Sequence, residues 1–91
     1  MDDYKIKDLD QKGVEDLIEG IVRQAVRDWK DAKKVLDKQP DSIAAERSLL
    51  DCERFFLSPY FTFLTGMDGK RVLFKLEEEY EHDRKRRNAH R

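Results

Sequence analysis

The sequence predicts an all-α fold, a small antiparallel bundle of three main helices plus one short aromatic helix. Charged residues make up 43% of the 91-residue chain and hydrophobic residues 38%, a balance typical of helices with strongly solvated outer faces. The apolar residues recur at intervals of three and four, the period of an amphipathic helix. Proline and glycine divide the chain into segments of helical length. A chain this short holds one hydrophobic core, so residues 1–91 are expected to form a single domain.

The first long helix is predicted from Val14 to Lys38, with Asp10 as its N-cap if the helix begins earlier. Its apolar residues follow spacings of four and three in one seam: Ile18, Val22, Ala25, Trp29, Ala32 and Leu36. Further apolar residues widen this seam to a face suited to a bundle: Val14, Leu17, Ile21, Val26 and Val35. The helix is expected to stop before Pro40, because a residue that precedes proline is displaced from the α region. Residues 1–9 are too short and too mixed for a strand and are expected to be a flexible arm.

The second helix is expected to start at a cap formed by Asp41 or Ser42 and to reach Leu57. The short turn before it makes the first two helices antiparallel. One apolar stripe on the second helix consists of Ala45, Leu49, Cys52 and Phe56, and another of Ile43, Leu50 and Leu57.

The short aromatic helix is predicted from Pro59 to Thr65. Ser58 is its expected N-cap, and Gly66 its left-handed C-cap. Asp68 is then expected to cap a last helix that runs through Tyr80 and as far as Arg86. The inward face of this helix is predicted to consist of Val72, Leu73, Leu76 and Tyr80.

The charge of the chain is distributed unevenly. Residues 1–83 carry fourteen basic against twenty acidic residues, a net charge of −6. Residues 84–91 carry five basic and no acidic residues, a net charge of +5. This basic tail is either a solvated helix end, whose cations suit the helix dipole, or a surface for nucleic acid or an acidic protein. The acidic body opposes nucleic-acid binding by any part of the chain other than the tail.

Residues that carry catalytic or metal chemistry are sparse. Both histidines, His82 and His90, lie in the charged C-terminal stretch, and the single cysteine, Cys52, falls on an apolar stripe. Glu78 and His82 are one helical turn apart, but two ligands do not make a structural metal site. We therefore expect no catalytic residues, no cofactor and no metal, and a non-enzymatic protein. No apolar run is long enough to span a membrane, so a cytoplasmic protein is the simplest expectation.

Five of the nine aromatic residues lie between Cys52 and Gly69. Such a cluster is either the core of a very small bundle or a surface that binds a partner. Phe55 and Phe56 are adjacent and point about 100° apart on a helix, so they cannot share one environment. The candidates for a partner-binding surface are Phe55, Tyr60, Phe61 and Phe63.

The segment CERFFLSPYFTFLTGMDGKRVLFKLEEE resembles small helical proteins encoded by phages and prophages of bacteria. The resemblance rests on a Glu-Arg-Phe-Phe segment at residues 53–56, Ser58, Phe61, a Leu-Thr-Gly segment at residues 64–66, Asp68 and the leucines of the last helix, and it covers residues 25–80. It implies a mobile-element accessory protein. By analogy with other small phage proteins, such a protein would bind and inhibit a host or defence protein, an anti-CRISPR-like role being one form of this.

The sequence therefore indicates two alternative functions. The first is binding of a protein partner of unknown identity in the cytoplasm of a bacterial host. The alternative is nucleic-acid binding by the basic tail, through Arg84, Lys85, Arg86, Arg87 and Arg91. Because the first helix is longer than the second, part of its apolar face remains for the last helix or for another copy of the chain. We expect the second arrangement, a homodimer through the first helix and the exposed part of the aromatic segment.

Overall fold

The computed structural model describes residues 11–89, and the side chains of residues 11–87. Four helices follow one another: α1 (Gln11–Lys38), α2 (Ile43–Leu57), α3 (Pro59–Thr65) and α4 (Gly69–Ala89). No strand occurs within the described residues. The predicted all-α fold is confirmed, and the bounds of the helices are close to those expected. The cap proposed at Asp10 and the arm at residues 1–9 lie outside the described part of the chain.

Side chains and one glycine set the helix boundaries. The Ser42 hydroxyl accepts a hydrogen bond from the Ala45 amide at 3.2 Å, which makes Ser42 the cap of α2. The Ser58 hydroxyl donates to the Phe55 carbonyl at 2.7 Å and accepts from the Phe61 amide at 3.2 Å, so one side chain ends α2 and starts α3. Gly66 ends α3 with a φ of 72°, as predicted.

The core lies where all four helices meet. Trp29 of α1, Phe56 of α2 and Phe61 of α3 are fully buried. The remaining members of this cluster are Cys52, Leu76 and Tyr80. The rings of Phe56 and Phe61 are 5.3 Å apart at 73°, and Trp29 meets the ring of Tyr80 at 6.0 Å and 87°. Edge-to-face packing of this kind adds attraction between the rings to the burial of apolar area.

A close backbone approach positions α4 against α2. A Cβ atom on Gly69 would lie 1.7 Å from the Phe56 carbonyl oxygen, so only glycine fits there. From that contact α4 returns along α2. A Cβ atom on Gly20, by contrast, would lie more than 4 Å from every neighbouring helix. Gly20 therefore makes no close helix contact, and a larger residue has room at that position.

Much of the apolar surface of α1 and α2 remains uncovered. The 15 residues of α2 span about 22 Å, against about 42 Å for the 28 residues of α1. Three apolar side chains in the first half of α1 are therefore exposed: Val14, Leu17 and Ile21. The second stripe of α2, formed by Ile43, Leu50 and Leu57, is also exposed, because its seven-residue spacing keeps it opposite the core stripe.

We predict opposite effects for alanine at the two helical glycines. Gly69→Ala should lower the free energy of unfolding by about 1–3 kcal/mol, because the methyl group collides with the α2 backbone. Gly20→Ala should raise it by about 0.5–1 kcal/mol, because alanine favours an exposed helix interior. Urea denaturation followed by Trp29 fluorescence measures both. Equal effects of the two variants would contradict the close approach of α4 to α2.

Trp29 is expected to be the most costly position to truncate. Trp29→Ala should lower the free energy of unfolding by about 3–5 kcal/mol. Its indole Nε1 is buried without a hydrogen-bond partner among the described residues. Trp29→Phe should therefore cost clearly less, since it keeps an aromatic ring and removes the unpaired donor. Urea denaturation followed by circular dichroism separates the two variants, and wild-type stability of Trp29→Ala would disprove the core assignment.

Candidate functional site

The four aromatic residues proposed as partner-binding occupy different environments. Phe61 is fully buried, so its assignment to a partner surface is corrected: the first turn of α3 directs its ring against Phe56. Phe55 is half-buried, with its ring 5.5 Å from that of Phe61. Tyr60 and Phe63 are 58% and 84% exposed. The structure thus assigns Phe61 to the core and leaves Tyr60 and Phe63 as the accessible aromatic residues of this segment.

An open cavity of about 580 Å³ separates the first half of α1 from the end of α3. We call it the corner groove. Its apolar lining comes from Ile18, Val22, Val26, Leu64 and Met67. It exists because α2 is too short to cover this part of α1 and α3 covers it only partly. The sequence placed Ile18 and Val22 in the core seam, and the structure leaves both half-buried at the groove.

The two exposed aromatic residues lie on α3 but do not belong to the lining of the corner groove. Tyr60 precedes Leu64 by four residues on α3, and Phe63 follows Tyr60 by three, so these side chains are neighbours on the helix surface. The opposite wall carries Glu15, Glu19 and Arg23, of which Glu19 and Arg23 are ion-paired at 2.7 Å. The groove therefore has an apolar floor and, on α1, an edge with net negative charge.

A second groove, which we call the basic groove, lies between α1 and α4. It has a volume of about 430 Å³ and is lined by Lys30, Lys34, Tyr80, Asp83, Arg86 and Arg87. Four of these side chains are cationic and one is anionic. Lys30 and Lys34 were not singled out from the sequence, because about fifty residues separate them from the tail and only the packing of α4 beside α1 brings them together.

The five tail residues proposed to bind nucleic acid are not equivalent. Arg84 is paired with Asp37 at 3.1 Å and with Glu81 at 3.4 Å. Lys85 lines a different surface of α4, beside Glu78 and Glu81. Arg86 and Arg87 face the basic groove, and Arg91 lies outside the described residues. The structure therefore keeps two of the five in one site and joins them to two lysines of α1.

A polar seam next to the basic groove holds α4 to α1. The Tyr80 hydroxyl donates a short hydrogen bond to the Asp37 carboxylate. This bond is the main cause of the lowered pKa of Asp37. Burial opposes it by raising the pKa, and the nearby positive charges of Arg84 and Lys33 lower the pKa further. The pKa of Tyr80 is raised, first by burial and then by its hydrogen bond to Asp37. Lys33 adds an ion pair with Glu77 at 3.0 Å.

The groups considered for catalysis are not arranged around a common centre. Cys52 is buried, and the pKa of its thiol is raised by burial and by the neighbouring carboxylates Asp28, Asp51 and Glu53. A thiol held in its neutral form is a poor nucleophile. Glu78 and His82 line an open surface of α4, and no group of three metal-ligating side chains occurs within residues 11–89. His90 lies outside the described part of the chain.

Comparisons of this chain with protein-family models, with curated protein sequences and with solved structures find no match. Within residues 11–89, no helix combines the length and apolar composition needed to cross a membrane.

The Asp37–Tyr80 bond is expected to make stability depend on pH at both extremes. Because the pKa of Asp37 is lowered in the folded state, its ionised carboxylate stabilises the fold at pH values above its ordinary pKa of 3.8. This stabilisation is lost as the pH falls through and below that value. Because the pKa of Tyr80 is raised in the folded state, its neutral hydroxyl stabilises the fold at pH values below its ordinary pKa of 10.0. This stabilisation is lost as the pH rises above that value. Tyr80→Phe should therefore be less stable than the wild type at neutral pH, with the difference shrinking toward both extremes.

Tyr60→Phe is the matched control, because it removes the same hydroxyl from an exposed tyrosine. Urea denaturation at a series of pH values, followed by Trp29 fluorescence, gives the difference directly. A Tyr80→Phe difference that stays constant from acid to alkaline pH would contradict the role of this bond.

Proposed function

We propose that this protein is a non-enzymatic binding protein whose corner groove accepts an amphipathic helix of a partner protein. The observation that carries the proposal is an open groove whose floor is lined by aliphatic side chains and Met67, with a polar edge on α1. Exposed apolar patches bordered by polar residues are typical of interaction surfaces.

A helix is the occupant that the shape of the groove favours. The walls are two helices, α1 and α3, and the floor is formed by aliphatic side chains and Met67. A partner helix with apolar residues at positions i, i+3 or i+4, and i+7 would complete this packing. Methionine adapts to varied apolar surfaces, which suits a groove that receives another protein.

The charge of the groove narrows the kind of partner. Glu15 and Glu19 stand on the α1 wall, and Arg23 offsets only one of these negative charges. We therefore propose that the partner helix carries lysine or arginine beside its apolar stripe. Complementary charges at the rim would speed association and select the orientation of the helix.

The resemblance to phage and prophage accessory proteins suggests that the partner belongs to the bacterial host. Binding at the corner groove would then inhibit a host or defence protein by occupying a helix that it needs for its own assembly or activity.

Paired variants test the groove. Leu64→Ser/Met67→Ser, the corner variant, removes two apolar side chains that line the groove. Phe74→Ser/Ile43→Ser, the control, removes two exposed apolar side chains elsewhere. Each variant and the wild type would be used as bait in a bacterial lysate, and proteins retained by the wild type would be titrated as purified components. We expect a captured protein whose affinity falls at least tenfold with the corner variant and less than twofold with the control.

Equal affinity of both variants for every captured protein would overturn the proposal. So would occupation of the groove by a second copy of this chain. Light scattering detects that outcome as a mass about twice 10.9 kDa that returns to 10.9 kDa in the corner variant only. Such a result would instead support the homodimer expected from the length of the first helix.

A further inference from the structure

We infer that the basic groove between α1 and α4 binds the phosphate backbone of a nucleic acid, without reading its sequence. This site is separate from the corner groove. Ile18 and Lys34 are sixteen residues apart on the same helix, about 24 Å along its axis. A protein partner at one groove and a nucleic acid at the other would therefore not compete for the same residues.

The pairing of the surrounding charges leaves the groove cationic. On the seam beside it, Lys33 is neutralised by Glu77 and Arg84 by Asp37. In the part of the chain that the structure describes, neither Lys30 nor Lys34 forms an ion pair. Among the residues of 11–87 that line the groove, Asp83 is the one acidic side chain, against four cationic ones. The local charge is thus opposite in sign to the net charge of −6 over residues 1–83.

The cationic surface continues along α1 beyond the groove. Arg27 precedes Lys30 by three residues and Lys34 by seven, so the three side chains occupy one face of the helix over about 10 Å. Asp31 lies at the edge of this face, on the side toward α2. Arg86 and Arg87 face the same groove from the end of α4. Cations on two helices that flank a groove can contact several phosphates of one strand.

The groove lacks the features that base recognition or protein binding requires. Its aromatic residue, Tyr80, is 4% exposed, and the cationic groups of Lys33 and Arg87 lie 5.6 and 5.9 Å from its ring centre. Tyr80 therefore offers no face on which a base could stack. The described residues that line the groove also include no exposed large apolar side chain to anchor a protein interface. Binding to a phosphate backbone needs neither feature, because it is driven by release of counterions.

Fluorescence anisotropy with a labelled DNA duplex of mixed sequence tests this site in the full chain. Lys30→Gln/Lys34→Gln removes two groove cations, and Lys70→Gln/Lys75→Gln removes the same charge from exposed positions nearer the start of α4. We expect salt-dependent binding by the wild type, with a slope of log K against log salt of about −3 to −4 for four contacts. The groove variant should reduce this slope by about 2 and weaken binding at least tenfold. The control should stay within about threefold.

Further probes separate the outcomes. A second duplex of different sequence should bind equally well, and duplex RNA distinguishes a preference for RNA over DNA. The Leu64→Ser/Met67→Ser variant should bind DNA like the wild type, which keeps this result independent of the proposed protein partner. No binding at about 50 mM salt would overturn the inference, as would equal losses for the two lysine variants. Tighter binding to polyglutamate than to DNA, lost in the groove variant, would overturn it in favour of an acidic protein.

Discussion

The packing of Trp29 against the aromatic residues of the other helices is the contact on which the whole structure depends. Trp29 from α1, Phe56 from α2 and Phe61 from α3 are the three fully buried large side chains among the described residues, and Tyr80 brings α4 to the same point. Their rings meet at steep angles, so the helices are held by a few large side chains rather than by long aliphatic seams. In a chain this short, one such cluster must replace the extended core of a larger bundle.

Both grooves follow from that arrangement. The cluster lies near the middle of α1, and α2 ends close to this cluster. The first half of α1 therefore projects past the bundle and forms one wall of the corner groove. On the other side, Trp29 and Tyr80 are large enough to hold α4 away from α1. The space beside them is bordered by the outer cations of both helices. The same side chains that stabilise the fold therefore also determine where its surface stays open.

The two grooves differ in chemistry in a way that suits different ligands. The corner groove has an aliphatic floor and a net acidic edge, which we associate with a protein helix. The basic groove has four cationic side chains and one acidic one around a ring that is already covered, which we associate with phosphate groups. Their separation along α1 means that one small chain could bring a protein and a nucleic acid together.

The sequence by itself determined the helices and their boundaries. Local signals specify these features: the apolar period, Pro40, the hydroxyls of Ser42 and Ser58, and the positive φ of Gly66. It also indicated burial of Trp29 and Cys52, which lie centrally on their stripes. Only the tertiary structure decided that Phe61 is buried while Phe63 is exposed, that Gly69 touches α2, and that Lys30 and Lys34 join Arg86 and Arg87. Those outcomes depend on how long each helix is relative to its neighbour and on how far large side chains hold two helices apart, and spacing along one helix carries no information about either.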